Sequence, residues 1–241
     1  MHEVVALIIA GGTGQRMGSD TPKQFLPLAG RPVLAHTLAA FETHPDITHI
    51  VVVCVEGWLD SVRDIASAYD ITKLADVIPG GETGHDSIRS GVFRVEALYG
   101  ADSIVLVHDA IRPLVSAEII SGCVATTREH GNATTAIHAV EAMLVTDDWR
   151  SCAELYPRSR LARTQTPQGF MTGDLAAMHR TWQAAGKPPV VASCELAIQS
   201  GHPVFLTLGS EMNVKLTTPD DIAICEALML TTGTRGPDPR P

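Results

Sequence analysis

Aromatic residues are scarce in this chain: Phe, Trp and Tyr make up 5% of its 241 residues. That scarcity disfavours a platform on which bases of single-stranded nucleic acid stack. Positive charge is also short. Eighteen Lys and Arg against 27 Asp and Glu give a formal net charge of −9, whereas a nucleic-acid-binding face needs a basic surface. A nucleotide as a small ligand is not excluded, because a pocket needs only a few well-placed cations. The five cysteines, Cys54, Cys123, Cys152, Cys194 and Cys225, are odd in number and show no C-x-x-C spacing. They read as free thiols in reducing surroundings. No His/Asp/Glu cluster has the spacing of a zinc site. The start, Met1-His2-Glu3, lacks a basic region, and the apolar run Val4 to Ala10 is too short for a signal peptide or a membrane span. The chain is therefore expected to stay in the cytoplasm, with no membrane and no nucleic acid as partner.

What is present is an ordinary globular balance, 45% hydrophobic and 19% charged. The length suits one large domain able to bury most of its apolar surface. Apolar, β-branched runs at Val4–Ile9, Ile47–Val55, Leu74–Ile78, Ile104–Val107, Ala133–Ala139 and Val204–Leu208 read as buried parallel strands. Helical patterns lie between them, at Pro32–Phe41, Trp58–Tyr69, Asp86–Leu98, Ala117–His130, Thr172–Ala185, Ser193–Ser200 and Asp220–Leu230. The alternation predicts an α/β fold with a doubly wound, mostly parallel, Rossmann-like sheet. Residues from about 142 to 166 break the rhythm and are expected to leave the sheet as a β-arm. The Gly/Pro/Arg-rich tail, 231–241, is expected to be disordered. One domain, 1–230, remains. In open α/β sheets the ligand lies beyond the carboxyl ends of the strands. The polar segments after Ile9, Ile78, Val107 and Ala139 should line one site.

Directly after the first strand stands Ala10-Gly11-Gly12-Thr13-Gly14-Gln15-Arg16-Met17-Gly18. Glycines let the backbone approach a phosphate chain and turn N–H groups toward it. Arg16 adds a guanidinium fork, and Lys23, in Pro22-Lys23-Gln24-Phe25-Leu26-Pro27-Leu28, adds a point charge. Neither the dinucleotide fingerprint G-x-G-x-x-G nor the phosphate-loop pattern G-x-x-x-x-G-K-[ST] is matched. The bland reading is a tight strand–helix turn followed by a solvated lysine.

These residues resemble the opening of the sugar- and polyol-phosphate nucleotidyltransferases. More narrowly, they resemble the cytidylyltransferases acting on methylerythritol phosphate and ribitol phosphate, the latter more closely in the Ala-Gly-Gly of the first loop. The similarity runs from Val5 to about Leu230. Four further blocks follow in the family's order: Gly80-Gly81-Glu82 with Asp86-Ser87; His108-Asp109-Ala110-Ile111-Arg112-Pro113; Gln165-Thr166-Pro167-Gln168; and Asn213-Val214-Lys215-Leu216-Thr217-Thr218-Pro219-Asp220-Asp221.

The resemblance implies in-line displacement at the α-phosphorus of CTP by an acceptor phosphate oxygen, with Mg²⁺ and release of pyrophosphate. The attacking phosphate is already anionic, so catalysis is positioning and charge stabilisation. By resemblance, Ala10, Gly11, Gly12, Gly14, Arg16 and Lys23 hold the nucleotide phosphates, and Lys215 reaches the α-phosphate. Gly81, Ser87 and Ala110 meet the nucleoside. Asp109 orients the metal or an acceptor hydroxyl, and Arg112, Arg158 and Thr166 serve the acceptor. In the family the arginine matching Arg158 (Arg160 lies close by) comes from a neighbouring subunit's arm, which implies a homodimer. Each has a plainer reading: Asp109 paired with Arg112, Asp86 as a helix cap, Lys215 on the surface, His108 packed in the core.

The acceptor side departs from the family. Its Asp-Thr pair before the arm is Glu141-Ala142 here, and its later Thr-Asp is Val191-Ala192. An Arg usually follows the Gly-Gly-acid string, where this chain has Thr83-Gly84-His85. Losing partners for buried hydroxyls predicts an altered acceptor: a polyol phosphate held differently, or a phosphonate or other small phosphoryl compound. Alternatives are a uridylyl- or guanylyltransferase of the same enzyme class, a non-catalytic nucleotide-binding protein on the same fold, and a nicotinamide dehydrogenase. The glycine-loop spacing disfavours the last.

Overall fold

The computed structural model describes residues 2–12 and 21–232. Its centre is a seven-stranded sheet. Strands β1 (Val4–Ala10), β4 (His49–Cys54), β5 (Leu74–Pro79), β6 (Ile104–Asp109), β7 (Asn132–His138), β10 (Ala162–Met171) and β11 (Leu206–Leu208) lie in the order β11-β7-β10-β6-β1-β4-β5. All run parallel except β10, which is antiparallel to both β6 and β7.

The period-2 geometry of strands sorts the apolar residues onto two faces. Val4, Ala6 and Ile8 of β1 point to one core, shared with Ile50, Val52 and Leu106. Helices α1 (Val33–Glu42), α2 (Leu59–Ala68) and α4 (Ala117–His130) cover it through Leu34, Val62 and Ile120. Val5 and Leu7 point the other way, with Val51, Val53 and Val105. There α3 (Gly84–Tyr99), α5 (Thr172–Ala184) and α6 (Ser193–Gln199) close the layer through Val92, Leu175 and Leu196. Burial on both faces is why β1 is a continuous apolar run. Each fully buried Val, Leu or Ile contributes about 1.5–3 kcal/mol. A third cluster packs α7 (Asp220–Thr232) through Cys225 and Met229 against Leu28, Ile111 and Leu216. Leu28 belongs to a short hairpin of β2 (Pro27–Leu28) and β3 (Arg31–Pro32).

Helix starts follow local chemistry. Thr83 and Asp86 form a capping box at α3, and Ser116 caps α4. Asp86 is thus a helix-capping residue, and it also pairs with Arg89 at 2.8 Å. Gly91 lets α3 lie close on the sheet, since a Cβ there would come within 2.6 Å of Leu7 and 2.8 Å of Val53.

Between β7 and β10 the chain leaves the sheet. Strands β8 (Met143–Val145) and β9 (Glu154–Tyr156) pair only with each other. The main sheet resumes at Ala162, so Ala162–Thr166 belong to β10 rather than to the excursion. No helix among the described residues is long and apolar enough to cross a membrane.

Two buried histidines give the fold a pH dependence. Burial pushes His108 down to about 4 and His179 down to about 3. Both ring nitrogens of His179 lack a hydrogen-bond partner, and its ring lies 4.9 Å from that of His85. In the unfolded chain both titrate near 6.5. Below that pH the unfolded state binds protons that the native state refuses. Stability present above pH 6.5 is therefore lost as the pH falls toward the folded values, by about 1.4 kcal/mol per pH unit and proton. Urea unfolding across this range should show falling stability, with the slope reduced by one proton in His179→Leu. An unchanged slope in that variant would exclude His179 as a contributor.

Candidate active site

The sheet brings the carboxyl ends of β1, β5 and β6 to one edge, where the amino end of the antiparallel β10 joins them. Parallel pairing sets Ile9 opposite Asp109. Ala10 closes β1, and its carbonyl accepts a 2.6 Å hydrogen bond from Nε2 of buried Gln24. The same nitrogen donates to the Gly12 carbonyl at 3.3 Å. Gln24 sits in the 3-10 turn Lys23–Phe25, so its side chain fixes the turn carrying Lys23 beside the glycine loop. Gly14 and Arg16 lie outside the described residues.

Gly11, Gly80 and Gly81 gather around the start of α3. A Cβ on Gly11 would stand 3.0 Å from Ser87 Oγ, one on Gly80 2.8 Å, and one on Gly81 2.4 Å from the Asp86 side chain. At Gly81 a side chain would collide with Asp86, and at Gly11 and Gly80 the Ser87 hydroxyl would have to move. Ser87 is buried; its Oγ accepts from the Gly81 N–H at 3.1 Å and donates to the Thr83 carbonyl at 3.0 Å. Ala110 is also buried. Its N–H donates to Ile9 and its carbonyl accepts from Thr37, so both backbone groups serve the scaffold.

At the end of β6, Asp109 Oδ2 takes two cations, Lys215 Nζ at 3.1 Å and Arg112 Nε at 3.1 Å. Burial works against the Asp109 charge, but Lys215 and then Arg112 hold its carboxyl below the usual range. The side chain of Lys215 remains 43% exposed, and its four-carbon stem leaves the ammonium able to turn toward a ligand. Arg112 is buried, and its Nη1 donates to the Asn213 carbonyl at 2.7 Å. The Asp109 N–H donates to Thr166 Oγ1 at 3.1 Å, and Thr166 Oγ1 lies 3.0 Å from His108 Nδ1. His108 Nε2 lies 3.3 Å from the Arg112 carbonyl. A carbonyl only accepts, and a neutral imidazole carries one N–H. The proton therefore sits on Nε2, and the Thr166 hydroxyl donates to Nδ1. His108 is a packed core residue that holds both ends of the Asp109–Arg112 turn.

Asp109, Arg112, Thr166 and Lys215 line a cavity of about 170 Å³. The rest of its lining is mixed: apolar Ile9, Ile88, Val107, Val191 and Ala192, and polar Thr164, Gln165, Gln168 and Ser193. Val191 is 89% exposed, and Ser193 is buried with its Oγ unpartnered. Arg158 lies elsewhere, on the excursion after β9. It is exposed, with Nη1 on the Val140 carbonyl at 2.9 Å, and Ala142 lies exposed on the same excursion. The sequence reading passed over Gln24, Thr164, Gln165 and Ser193 as site residues. Only Gln24 and Gln165 stood inside quoted motifs, beside Lys23 and Thr166.

Among the described residues no three His, Cys, Asp or Glu side chains come together as a protein-only metal cage. Magnesium does not require one, because it is usually held by one or two carboxylates plus substrate phosphates. Both cations meet Oδ2 of Asp109, which leaves Oδ1 as the carboxylate's second donor, and that fits such a site.

Residues 4–231 match the family described as IspD, 2-C-methyl-D-erythritol 4-phosphate cytidylyltransferase. A ribitol-5-phosphate cytidylyltransferase of Vibrio parahaemolyticus is 40% identical over 94% of this chain and 96% of its own length. A 2-C-methyl-D-erythritol 4-phosphate cytidylyltransferase of Syntrophotalea carbinolica is 37% identical over 95% and 97%. The 4-diphosphocytidyl-2C-methyl-D-erythritol synthase structure from Anaerococcus prevotii superposes with a TM-score of 0.81 at 25% identity, over 95% of this chain and 99% of that one. With a shared fold, near-complete coverage and this level of identity, the chain belongs to the IspD family of cytidylyltransferases.

Proposed function

We propose that this chain transfers CMP from CTP to a small phosphorylated acceptor. An acceptor phosphate oxygen bonds to the α-phosphorus, the bond from that phosphorus to the bridging oxygen breaks, and pyrophosphate leaves. The observation that carries the reading is the Asp109–Lys215–Arg112 cluster at the end of β6, opening onto a cavity of acceptor size. The glycine loop with Arg16 and Lys23 holds the triphosphate, and Gly81 and Ser87 meet the base. Lys215 lies near enough to Asp109 to be held, and it is exposed enough to swing onto the α-phosphate. There it stabilises the charge that grows in the transition state. Arg112, with Nε and Nη1 committed to Asp109 and Asn213, has Nη2 to offer the acceptor phosphate. Asp109 Oδ1 would hold Mg²⁺, which when bound neutralises the phosphate oxygens and keeps them in line.

The acceptor differs from those named for the relatives. Val191 and Ala192 stand at the cavity where the resembling family carries a hydroxyl and a carboxylate, so a polyol brought there finds fewer partners for its hydroxyls. The reading is of a short acceptor with few hydroxyls, such as a small phosphonate. Pyrophosphate release should appear with Mg²⁺ and CTP for one member of a panel: small phosphonates, glycerol phosphates, ribitol 5-phosphate and methylerythritol phosphate. It should not appear when UTP or ATP replaces CTP. Efficient turnover of ribitol 5-phosphate would refute the altered acceptor. Lys215→Ala should lower kcat by about 10²–10³-fold while the protein stays folded; unchanged turnover would remove Lys215 from the reaction.

A homodimer through the excursion completes the site. Leu144 and Leu155 on β8 and β9 are each 60% exposed and Trp149 is 92% exposed, an apolar patch suited to a second copy. Arg158 then acts on the neighbour's acceptor. Mixing inactive Arg158→Ala with inactive Lys215→Ala should restore about a quarter of wild-type activity, because each mixed dimer holds one intact site. No recovery after subunit exchange would show that Arg158 does not act across the interface.

A further inference from the structure

Lys215 does its work from a loop, and a loop needs something to hold it. The segment from Gly209 to Leu216 joins β11 to α7 without regular structure. At its far end the Leu216 N–H donates to the Ile111 carbonyl, and at its near end the Gly209 N–H donates to Ala136 of β7. Between those points its main tie to the sheet is one buried side chain, Gln165 of β10.

The Gln165 amide uses both of its ends. Nε2 donates to the Ser210 carbonyl at 2.8 Å. Oε1 accepts from the Ser210 N–H at 3.2 Å and from Asn213 Nδ2 at 3.3 Å. The Ser210 backbone is thus read in both directions, as a neighbouring strand would read it. Asn213 Nδ2 also donates to the Thr166 carbonyl at 2.9 Å, and its own carbonyl receives Arg112 Nη1. Two residues later stands Lys215, with Nζ on Asp109. Gly209 is small because Gln165 is there: a Cβ at that position would sit 2.3 Å from Oε1.

The local backbone explains why a strand residue is free to do this. The register of β10 on β7 shifts between Thr164 and Gln168. Residues 165–167 fall outside the ladder, and Pro167 has no N–H to give it. A bulge re-aims the side chains it carries, and here it aims Gln165 at the loop.

We propose that Gln165 is a positioning residue for Lys215, acting through the Ser210–Asn213 backbone. The proposal rests on the reading that Lys215 meets a phosphate of CTP. A structural glutamine would affect stability alone, whereas a positioning one is energetically coupled to the lysine it places.

The test is a double-mutant cycle read by calorimetric titration of CTP with Mg²⁺, which needs no acceptor. Gln165→Leu should weaken CTP binding about tenfold, and Lys215→Ala at least as much. The double variant should bind no more weakly than Lys215→Ala, because a lysine that is absent cannot be misplaced. Multiplicative losses, or a Gln165→Leu protein that binds CTP like wild type with only a lower Tm, would overturn the proposal. A second variant guards against misfolding. Gln165→Glu keeps the accepting oxygen and loses the donor, so its CTP affinity relative to wild type should be poor at about pH 8 and recover as the pH falls through the titration of the new carboxyl, which burial and the facing Ser210 carbonyl raise above about 4.3. The same relative affinity throughout that fall in pH would also count against it. If the wild-type chain binds no CTP, the cytidylyl reading fails, and the role assigned to Gln165 fails with it.

Discussion

One carboxylate oxygen, Asp109 Oδ2, holds two cations that would otherwise repel each other. Everything around the site supports that arrangement. The Asp109 amide is tied to Thr166, Thr166 to His108, and His108 to the far side of the Arg112 turn. Arg112 then reaches across to Asn213, in the loop that delivers Lys215. A partly buried ion pair is weak evidence for stability, since desolvation offsets much of the attraction. Its value here lies in holding positive charge at a strand end in a defined place, ready for an anionic ligand.

The sheet is what makes the cluster possible. Parallel pairing of β1 with β6 places the carboxyl end of β1 beside Asp109, while β10 enters from the opposite direction and supplies Thr164, Gln165 and Thr166 to the same edge. Glycines at 11, 80 and 81 allow two loops to close on the start of α3, where side chains would collide with Ser87 and Asp86. Val191 and Ala192 line the same cavity as the charged cluster. The site therefore sets a charged cluster beside a wall that mixes apolar side chains with Thr164, Gln165, Gln168 and Ser193.

Much of the fold was legible because β1, β4 and β6 are apolar runs and three of the helices carry local start chemistry. Thr83, Ser116 and the Pro219-Asp220-Asp221 string mark α3, α4 and α7 by chemistry that acts within a few residues; Asp221 Oδ2 accepts from the Thr217 and Thr218 amides. Strand β10 was the exception. Its stretch from Ala162 to Gln168 is largely polar, and Thr164, Gln165, Thr166 and Gln168 line the site rather than fill the apolar core. Periodicity reports burial, and a strand that lines a cavity escapes it. The reading of residues up to Thr166 as part of the arm failed for that reason.

The sequence alone determined the alternation of strands and helices, the loop glycines and the identities of Asp109, Arg112 and Lys215, because these depend on local pattern and on residue chemistry. Tertiary structure decided which of them meet. The 3.1 Å approach of Lys215 to Asp109 spans more than a hundred residues of chain, and no local signal encodes it. The same holds for Gln165 and Ser193. A glutamine clamped to a distant loop and a serine buried in a cavity wall look ordinary in sequence, and they become distinctive only when packing settles which hydrogen-bonding groups find partners.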